Sequence, residues 1–338
     1  MNIPGRVHFV WIGPSLPWAY VFAVLSAAER GELSEVILHH TDSLEKGSWL
    51  DTLNRAPHVE MRNLDPFAYL ARTGQALGVG DGLVMIYRQL ASPVMRADVL
   101  RAAILYLEGG IYLDLDTITT ASLRPLLAAQ QFVGSEFIVW PGSVRRSRSP
   151  VIWARHLLLD LLRKALQKIP DGWEKFRRIE NLYSRGVNNA VMGASAESPL
   201  LAAYLRAMLK VPLDPPPDAY ALGPDLLQAV IDGFGQSGLT VHAPHVFYPM
   251  PPEISEHWFR VGRPARLQAV LSAETRVVHW YASVRTKSRV AQINPAYVRA
   301  NRSQQLYSAL VCAAIEDLPE DEDLVPPTVP DAPRTATV

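Results

Sequence analysis

The sequence predicts an α/β fold with a doubly wound, mostly parallel central sheet flanked by helices. Strand-like and helix-like segments alternate through the first half of the chain, a rhythm typical of parallel sheets. The strand-like segments are short, nearly continuous apolar runs, as expected when helices cover both faces of a sheet. Ligands of such folds bind at the carboxyl ends of the strands, so the functional site is expected there.

The first half contains the clearest elements. Strands are predicted over residues 7–12, 35–39, 58–62 and 111–115. A helix is predicted over Trp18–Arg30, with Gly31 just beyond its end. Ser92 and Pro93 suit the N-cap and first position of a second helix, which ends at Glu108 before Gly109.

The second half is less regular. An amphipathic helix is predicted over residues 150–166, and a further helix is capped by Ser198. Short strands are predicted over residues 190–192, 241–248 and 276–280. Residues 141–186 are interpreted as a helical insertion on the acceptor side of the fold. One domain is thus expected over residues 1–317, followed by a disordered acidic and proline-rich tail at 318–338.

Composition excludes several function classes. The formal net charge is +0, which argues against nucleic acid as the main partner. The single cysteine, Cys312, cannot form an internal disulfide and fits a reducing compartment. We see no signal peptide and no apolar run long enough for a membrane span, so a cytoplasmic protein is expected. Arginine greatly outnumbers lysine, which hints at a GC-rich bacterial genome.

Two aspartates at the end of a buried strand carry the strongest chemical signal. Asp114 and Asp116 follow the predicted strand at 111–115, where it emerges from the core. Two carboxylates at this spacing can share a hard divalent cation, and such a cation can hold a diphosphate. The preceding apolar helix carries Asp98 and Arg101 three residues apart, hence on one face. An ordinary surface ion pair is the alternative for these two residues.

Other candidates are weaker taken one at a time. Trp11 and Gly13 end the first strand, where an indole can stack on a base or simply pack in the core. His279 ends a late strand and suits a third metal ligand, although a lone histidine is more often structural. Asn188 and Asn189 can hydrogen-bond sugar hydroxyls or form a turn.

A basic cluster precedes the predicted helix at 150–166. Arg145, Arg146 and Arg148, together with that helix, could touch an anionic membrane surface. A solvated loop is the favoured interpretation of this cluster.

The opening segment from Ile3 to Gly13 and the block from Asp98 to Asp116 resemble the DXD-containing glycosyltransferases of family 32. They are also similar to the glucosyltransferase domain of the large clostridial toxins. Asn188-Asn189-Ala190 and His279-Trp280 are similar to further blocks of the family, although members often show His-His-Trp followed by Ser-Trp. Here Val278 precedes His279, and Val284 follows Ser283.

The resemblance implies a GT-A fold and transfer of a sugar with retention from a nucleotide diphosphate sugar to a hydroxyl acceptor. Mn²⁺ or Mg²⁺ would be held by Asp114, Asp116 and His279, and the catalytic residues would be Asp98, Arg101 and Asp116. The donor-contacting residues would be Phe9, Val10, Trp11, Gly13, Asp98, Arg101, Tyr112, Asp114, Leu115, Asn188, Asn189, Trp280 and Ser283. Closure of residues 285–288 over the bound donor is also expected.

The sequence leaves alternatives open. UDP-sugars are favoured as donors, with GDP-mannose next, and the acceptor can be a natural product, a glycan, a lipid or a protein. The oligomeric state is unknown. Asp114-Leu-Asp116-Thr117 also fits a haloacid-dehalogenase-like phosphatase, but that fold places its motif early and needs a downstream lysine and acidic pair. A non-catalytic protein that binds nucleotide sugars is the second alternative.

Overall fold

The computed structural model describes residues 2–214, 220–235, 238–262, 264–282 and 287–319. The predicted tail beyond residue 319 lies outside the described residues. The strands found within the described ranges are β1 (Arg6–Trp11), β2 (Glu35–His40), β3 (Val59–Asn63), β4 (Gly110–Leu113), β5 (Thr117–Thr119), β6 (Gln131–Ile138), β7 (Ser184–Ala194), β8 (Leu239–His242) and β9 (Val277–His279).

Seven of these strands form one sheet in the order β3-β2-β1-β4-β7-β6-β8. Strands β3, β2, β1 and β4 run parallel, and β6 is parallel to β8. Strand β7 is antiparallel to both of its neighbours, β4 and β6. The predicted α/β class with a mostly parallel sheet is confirmed, and the arrangement is consistent with the GT-A fold. A second, two-stranded sheet pairs β5 with β9.

Helices cover the sheet and follow it at the carboxyl end of the chain. In the described ranges they are α1 (Trp18–Arg30), α2 (Ser48–Arg55), α3 (Pro66–Leu77), α4 (Gly82–Gln89), α5 (Pro93–Glu108), α6 (Gly142–Arg145), α7 (Pro150–Lys168), α8 (Gly172–Arg177), α9 (Pro199–Met208), α10 (Pro224–Phe234), α11 (Pro244–Phe247), α12 (Leu267–Val270), α13 (Lys287–Val290), α14 (Pro295–Asn301) and α15 (Leu306–Ala314). Short 3-10 helices span Arg124–Ala128, Glu180–Leu182 and Pro252–Phe259. Among the described residues, no helix combines the length and apolar character that crossing a membrane requires.

Strand β4 shows why the sheet is doubly wound. Ile111 and Leu113 pack into the core on the side of helix α1, and Tyr112 packs into the core on the side of helix α5. All three side chains are buried. Successive side chains of a strand point to opposite faces, so a fully apolar strand needs a helical layer on each side. The continuous apolar runs in the sequence therefore predicted the layers correctly.

Two predicted elements differ from the structure. The strand expected over residues 241–248 ends at His242, and residues Pro244–Phe247 form the helical turn α11. Pro244 has no backbone N–H to donate to a strand ladder and its fixed φ suits the start of a helix, which explains the early end. Asn188 and Asn189 do not form a turn, because they lie inside the long strand β7.

Strand β7 holds these asparagines at an irregularity. Its register against β6 shifts between Val133 and Gly134, after which Gly134 pairs with Asn188. The side chains of Asn188 and Asn189 are buried and bond to the carboxylates of Glu136 and Asp98. Long-range partners therefore satisfy two polar residues that a local pattern assigns to a turn.

Between β6 and β7 the chain forms a helical excursion, which includes α6, α7 and α8. Residues 141–186 had been predicted as a helical insertion, and they are predominantly helical. Their assignment to the acceptor side is a proposal that is taken up below.

Candidate active site

Two glycines connect helix α5 directly to strand β4. Gly109 and Gly110 have φ values of +63° and +115°. A Cβ on Gly110 would lie 3.0 Å from the carbonyl oxygen of Arg6 and 3.0 Å from Nε2 of His8. Only glycine fits this tight connection without strain. The turn places the end of β4, and hence Asp114, close to the helix that carries Asp98 and Arg101.

Arg101 is the centre of a buried ion network. Its guanidinium contacts both carboxylate oxygens of Asp114, at 3.0 and 3.2 Å, and Oδ1 of Asp98 at 3.3 Å. It also donates to the carbonyl oxygen of Asn189 at 2.7 Å and lies over the ring of Tyr112 at 4.7 Å. Such a bidentate contact with the Asp114 carboxylate fixes the orientation of both groups. The predicted pair of Asp98 and Arg101 is thus part of a buried network rather than a surface ion pair.

Burial dominates the electrostatics of this network. It raises the pKa of Asp98 to about 6, although Arg101 favours the charged form of the carboxyl. It also raises the pKa of Asp114, against the opposing charge of Arg101. Burial by itself would lower the pKa of Arg101, but Asp114, Tyr112 and Asp98 raise it overall. The guanidinium is therefore a permanent positive charge at the centre of the site.

Asp116 is held by a different part of the chain. In the small sheet, Thr117 pairs with His279, which brings the imidazole beside Asp116. Nε2 of His279 lies 2.9 Å from Oδ1 of Asp116, and the backbone N–H of Ala282 donates to Oδ2 at 2.8 Å. Tyr281, between them, has φ of +59°, a left-handed conformation that is unfavourable for a tyrosine. Backbone strain of this kind is often stored at functional sites.

Asp114, Asp116 and His279 form a group that suits a metal ion. One ligand atom from each lies within 4.8 Å of the other two. Nδ1 of His279 is buried and has no hydrogen-bond partner among the described residues, while Nε2 shares a proton with Asp116. Burial alone would lower the pKa of His279, but contact with Asp116 raises it overall. Two carboxylates with one imidazole fit a divalent cation such as Mn²⁺, which these three side chains would hold.

A cavity of about 500 Å³ opens in front of these residues. Its walls include seven predicted site residues, namely Asp98, Arg101, Asp114, Asp116, Asn188, Asn189 and His279. The segment from Trp140 to Arg146 and residues of α10 line the same cavity. Its volume is within the range of pockets that hold a nucleotide or a drug-sized molecule.

Other predicted donor residues lie outside the cavity wall. Trp11 ends β1, is half-buried, and packs against Tyr20 with ring centroids 5.5 Å apart. Gly13 donates its backbone N–H to Asp42. Phe9 and Val10 are buried in the core, as are Tyr112 and Leu115. Tyr112 nevertheless reaches the site, since its hydroxyl donates to Asp114 at 2.9 Å.

Trp280 is fully buried in an aromatic cluster with Tyr20, Phe259 and Tyr307. The structure gives its side chain no access to the cavity, so a direct contact with a donor is possible only through its backbone. The predicted residue Ser283, together with residues 285 and 286 of the predicted closing segment, lies outside the described residues.

Glu136 is a cavity residue that sequence reasoning missed. Its carboxylate accepts hydrogen bonds from the Tyr281 hydroxyl at 2.6 Å and from the Asn188 amide at 2.8 Å. Burial raises the pKa of Glu136. The sequence carries one signal for it, a lone acidic residue within the otherwise uncharged segment Gln131–Ile138. Strand β6 was not predicted, so that signal had no structural context.

A family model matches the part of the chain that forms the centre of this site. Residues 38–133 match the family model described as a glycosyltransferase sugar-binding region containing a DXD motif. The match includes helix α5, strand β4 and both aspartates of the motif, and it supports glycosyl transfer from a nucleotide sugar. No curated protein matches the chain in sequence.

The chain is similar, at low identity, to several solved glycosyltransferase structures. The PaToxG glycosyltransferase has a TM-score of 0.44 and 14% identity, covering 69% of this chain and 70% of that one. The UDP-bound glycosyltransferase domain of the YGT toxin has a TM-score of 0.42 and 10% identity, covering 71% and 80%. Mouse xyloside xylosyltransferase 1 has a TM-score of 0.43 and 14% identity, covering 82% and 97%. These likenesses are too distant to carry the functional inference, which rests on the sugar-binding region and the site geometry.

Proposed function

We propose that this chain is a metal-dependent, retaining glycosyltransferase that moves a sugar from a nucleoside diphosphate to a hydroxyl acceptor. One observation carries the proposal: Asp114, Asp116 and His279 converge beside the buried Arg101 at the wall of one cavity. This arrangement offers ligands for a divalent cation and a fixed positive charge at the same place. Both are needed where a diphosphate leaves.

Asp114, Asp116 and His279 would hold the cation, which would neutralise charge on the departing diphosphate. The mixture of carboxylate and imidazole ligands favours Mn²⁺, with Mg²⁺ next. Arg101 keeps Asp114 in orientation through its two contacts. Asp98 is in turn fixed by Arg101 and by the Asn189 amide at 2.8 Å. The side chains that meet the donor are thus pre-organised before it binds.

Retention is the stereochemistry that the family resemblance implies, and the carboxylates of the cavity favour one route to it. Glu136 is a buried acid that lines the cavity and does not belong to the Arg101 network. Its two carboxylate oxygens accept hydrogen bonds from Tyr281 and Asn188. A carboxylate held in this way is a poor nucleophile. We therefore favour attack on the same face, in which the bond from the anomeric carbon to the phosphate breaks as the bond to the acceptor oxygen forms. The acceptor proton passes to the departing phosphate oxygen.

Trp11 supports UDP as the preferred nucleotide, with GDP-mannose next. Trp11 lies at the carboxyl end of β1 and packs against Tyr20. Burial, together with the charges of Asp116 and Asp114, raises the pKa of Tyr20. Strands β1 and β4 are neighbouring and parallel, so the indole lies at the same edge of the sheet as the acidic motif, where a base could stack on it. A cytoplasmic location remains part of the proposal, because the lone Cys312 fits a reducing compartment.

The test is nucleotide release from UDP-glucose, UDP-galactose, UDP-GlcNAc and GDP-mannose, with and without Mn²⁺. Wild type is expected to release nucleotide from one donor only when metal is present. Asp116→Asn should lose at least about a hundredfold in rate, as expected when a key electrostatic group is removed. Asp51→Asn, at an exposed position on α2, is the matched control and should retain the wild-type rate.

Two outcomes would overturn the proposal. Phosphate release from p-nitrophenyl phosphate without donor turnover would indicate the phosphatase alternative. Mn²⁺-dependent binding of UDP or GDP without turnover, measured by calorimetry in the presence of candidate acceptors, would indicate a binding protein. Near-wild-type turnover by Asp116→Asn would remove this residue from the mechanism.

A further inference from the structure

Helix α7 presents its apolar side to solvent. Seven large apolar side chains of this one helix are exposed, including Val151 at 76% and Leu158 at 67% of their full areas. The set is Val151, Ile152, Trp153, Leu157, Leu158, Leu161 and Leu162, which we call the α7 apolar face. At 100° per residue, Leu157, Leu158 and Leu161 lie on the side of the helix opposite its buried residues. Exposed apolar surface concentrated in this way marks an interaction site.

Four polar residues of the same helix, His156, Asp160, Arg163 and Gln167, point inward, and specific contacts hold them there. Nδ1 of His156 lies 2.6 Å from the carbonyl oxygen of Val139. Arg163 pairs with Asp160 and, at 3.5 Å, with Glu253. Gln167 donates to the carbonyl oxygen of Glu253 at 2.7 Å. These bonds fix the rotation of the helix, so turning the apolar side inward would leave buried polar groups without partners.

The charged residues of the segment that carries this face are predominantly basic. Residues 141–168 contain a single acidic residue, Asp160, which is buried and paired with Arg163 and Lys164. The basic residues of the same segment are Arg145, Arg146, Arg148, Arg155, Arg163, Lys164 and Lys168. On the helix, Arg155 flanks one edge of the apolar face and Lys164 flanks the other, while Lys168 lies on the same side beyond Leu161 at the end of the helix. Apolar side chains bordered by basic ones match the surface of an anionic bilayer.

The α7 apolar face also adjoins the cavity. Trp140, Arg145 and Arg146 line the cavity, and α7 begins at Pro150, four residues further along the chain. Trp153 at the start of the face packs on Trp140, with ring centroids 5.2 Å apart. The surface and the cavity wall are therefore continuous.

We propose that helix α7 docks on anionic phospholipid bilayers, with its apolar face inserted at the headgroup boundary and its basic residues against lipid phosphates. A second copy of the chain is a poorer occupant, because a symmetric contact would bring two basic edges together. Docking would bring the cavity mouth to the lipid surface. In this one respect the inference rests on the proposed function: the acceptor hydroxyl would belong to a lipid or to a group carried at the membrane.

Sedimentation with vesicles tests the docking. Wild type should bind phosphatidylcholine vesicles containing 30% phosphatidylglycerol at least about tenfold better than pure phosphatidylcholine vesicles, as expected for several basic residues near a charged surface. Leu158→Glu with Leu161→Glu should abolish binding to both. Met85→Glu is the matched control, because Met85 is an exposed apolar residue on α4 and away from the cavity wall. It should bind as wild type does.

A second variant separates the charge contribution from the apolar one. Arg148→Glu with Arg155→Glu changes two exposed residues that do not line the cavity, and it should remove the preference for anionic vesicles. Failure of wild type to bind anionic vesicles would overturn the proposal. So would a wild-type dimer, seen by analytical ultracentrifugation, that Leu158→Glu with Leu161→Glu converts to monomers. Donor hydrolysis by unbound protein is measured separately, so loss of docking and loss of the transferase are distinguishable.

Discussion

Arg101 organises the site by contacting two acids that have different neighbours. It pairs with Asp98 within its own helix and with Asp114 at the end of the next strand. Spacing along the helix predicted the first contact, since residues three apart share a face. The second depends on the Gly109-Gly110 connection, which the sequence indicated only as a helix end. Replacement of Arg101 by lysine would lose the bidentate contact with Asp114, because an ammonium group is a single point charge.

Substitution of Glu136 tests whether a buried negative charge in the cavity contributes to turnover. A sugar that becomes positively charged at its anomeric carbon is stabilised by a nearby carboxylate. Glu136→Gln retains an acceptor for Asn188 and a donor for Tyr281, so the fold should be preserved. We expect kcat to fall about tenfold or more, with the KM for donor little changed. The measurement is steady-state nucleotide release alongside a thermal melt.

Gln131→Glu is not a useful control for this variant, because Gln131 is itself buried and bonded to Ser198. Asp232→Asn is better matched, since Asp232 also lines the cavity but is exposed and bonded to Gln228. It should keep both kcat and the melting temperature. Wild-type kcat in Glu136→Gln would assign that residue a packing role alone.

The connection between α5 and β4 is the element on which the site depends most. It aligns a helix and a strand that together carry Asp98, Arg101 and Asp114. Strand β7 completes this alignment from the other side, because the backbone N–H of Asp114 donates to the carbonyl oxygen of Ala190 at 2.8 Å. The acidic motif is thus held between two strands before it leaves the sheet.

Gly110→Ala is expected to destabilise the protein by about 2–4 kcal/mol, since a Cβ would combine a positive φ with close contacts to Arg6 and His8. Gly233→Ala is the matched control. Gly233 lies inside helix α10, and a Cβ there would meet nothing within 4 Å. It should leave stability unchanged or raise it by roughly 0.4–1 kcal/mol. Urea unfolding followed by circular dichroism measures both changes, and equal stabilities would contradict the argument.

The sheet as a whole contains a buried pair of histidines whose protonation is linked to folding. Nε2 of His8 donates to the carbonyl oxygen of Gly109, so Nδ1 of His8 accepts a hydrogen bond from the Nε2–H of His39, 3.0 Å away. Both rings are therefore neutral in the folded state. Burial lowers the pKa of His8 to about 4 and also lowers the pKa of His39.

A lowered folded-state pKa means that the unfolded chain binds more protons than the folded one below about pH 6.5. Stability from this pair is fully present above about pH 6.5 and is lost as the pH falls, toward about pH 4 for His8 and on toward about pH 2 for His39. The free energy of unfolding in urea, measured from pH 7.5 to pH 4, should show this slope. His39→Gln keeps a donor for His8 but cannot titrate, and its slope should be smaller. An unchanged slope would exclude His39 as a contributor.

Local sequence determined the parts of this molecule that depend on neighbouring residues. Apolar runs predicted the strands of the parallel half, and the bounds of helix Trp18–Arg30 are those found. The order of helix, two glycines, strand and acidic motif indicated, without any tertiary contact, the segment that matches the sugar-binding family model. Periodicity, capping and glycine stops act within a few residues, so a pattern can reveal them.

Tertiary structure alone decided which distant groups meet. His279 reaches Asp116 across 163 residues because β9 pairs with β5, and Glu136 faces the cavity because β6 pairs with β7. Helix α7 was correctly predicted as amphipathic, but its polar side is buried against Val139 and Glu253. Periodicity shows that a helix has two faces, whereas only its partners determine which face meets solvent.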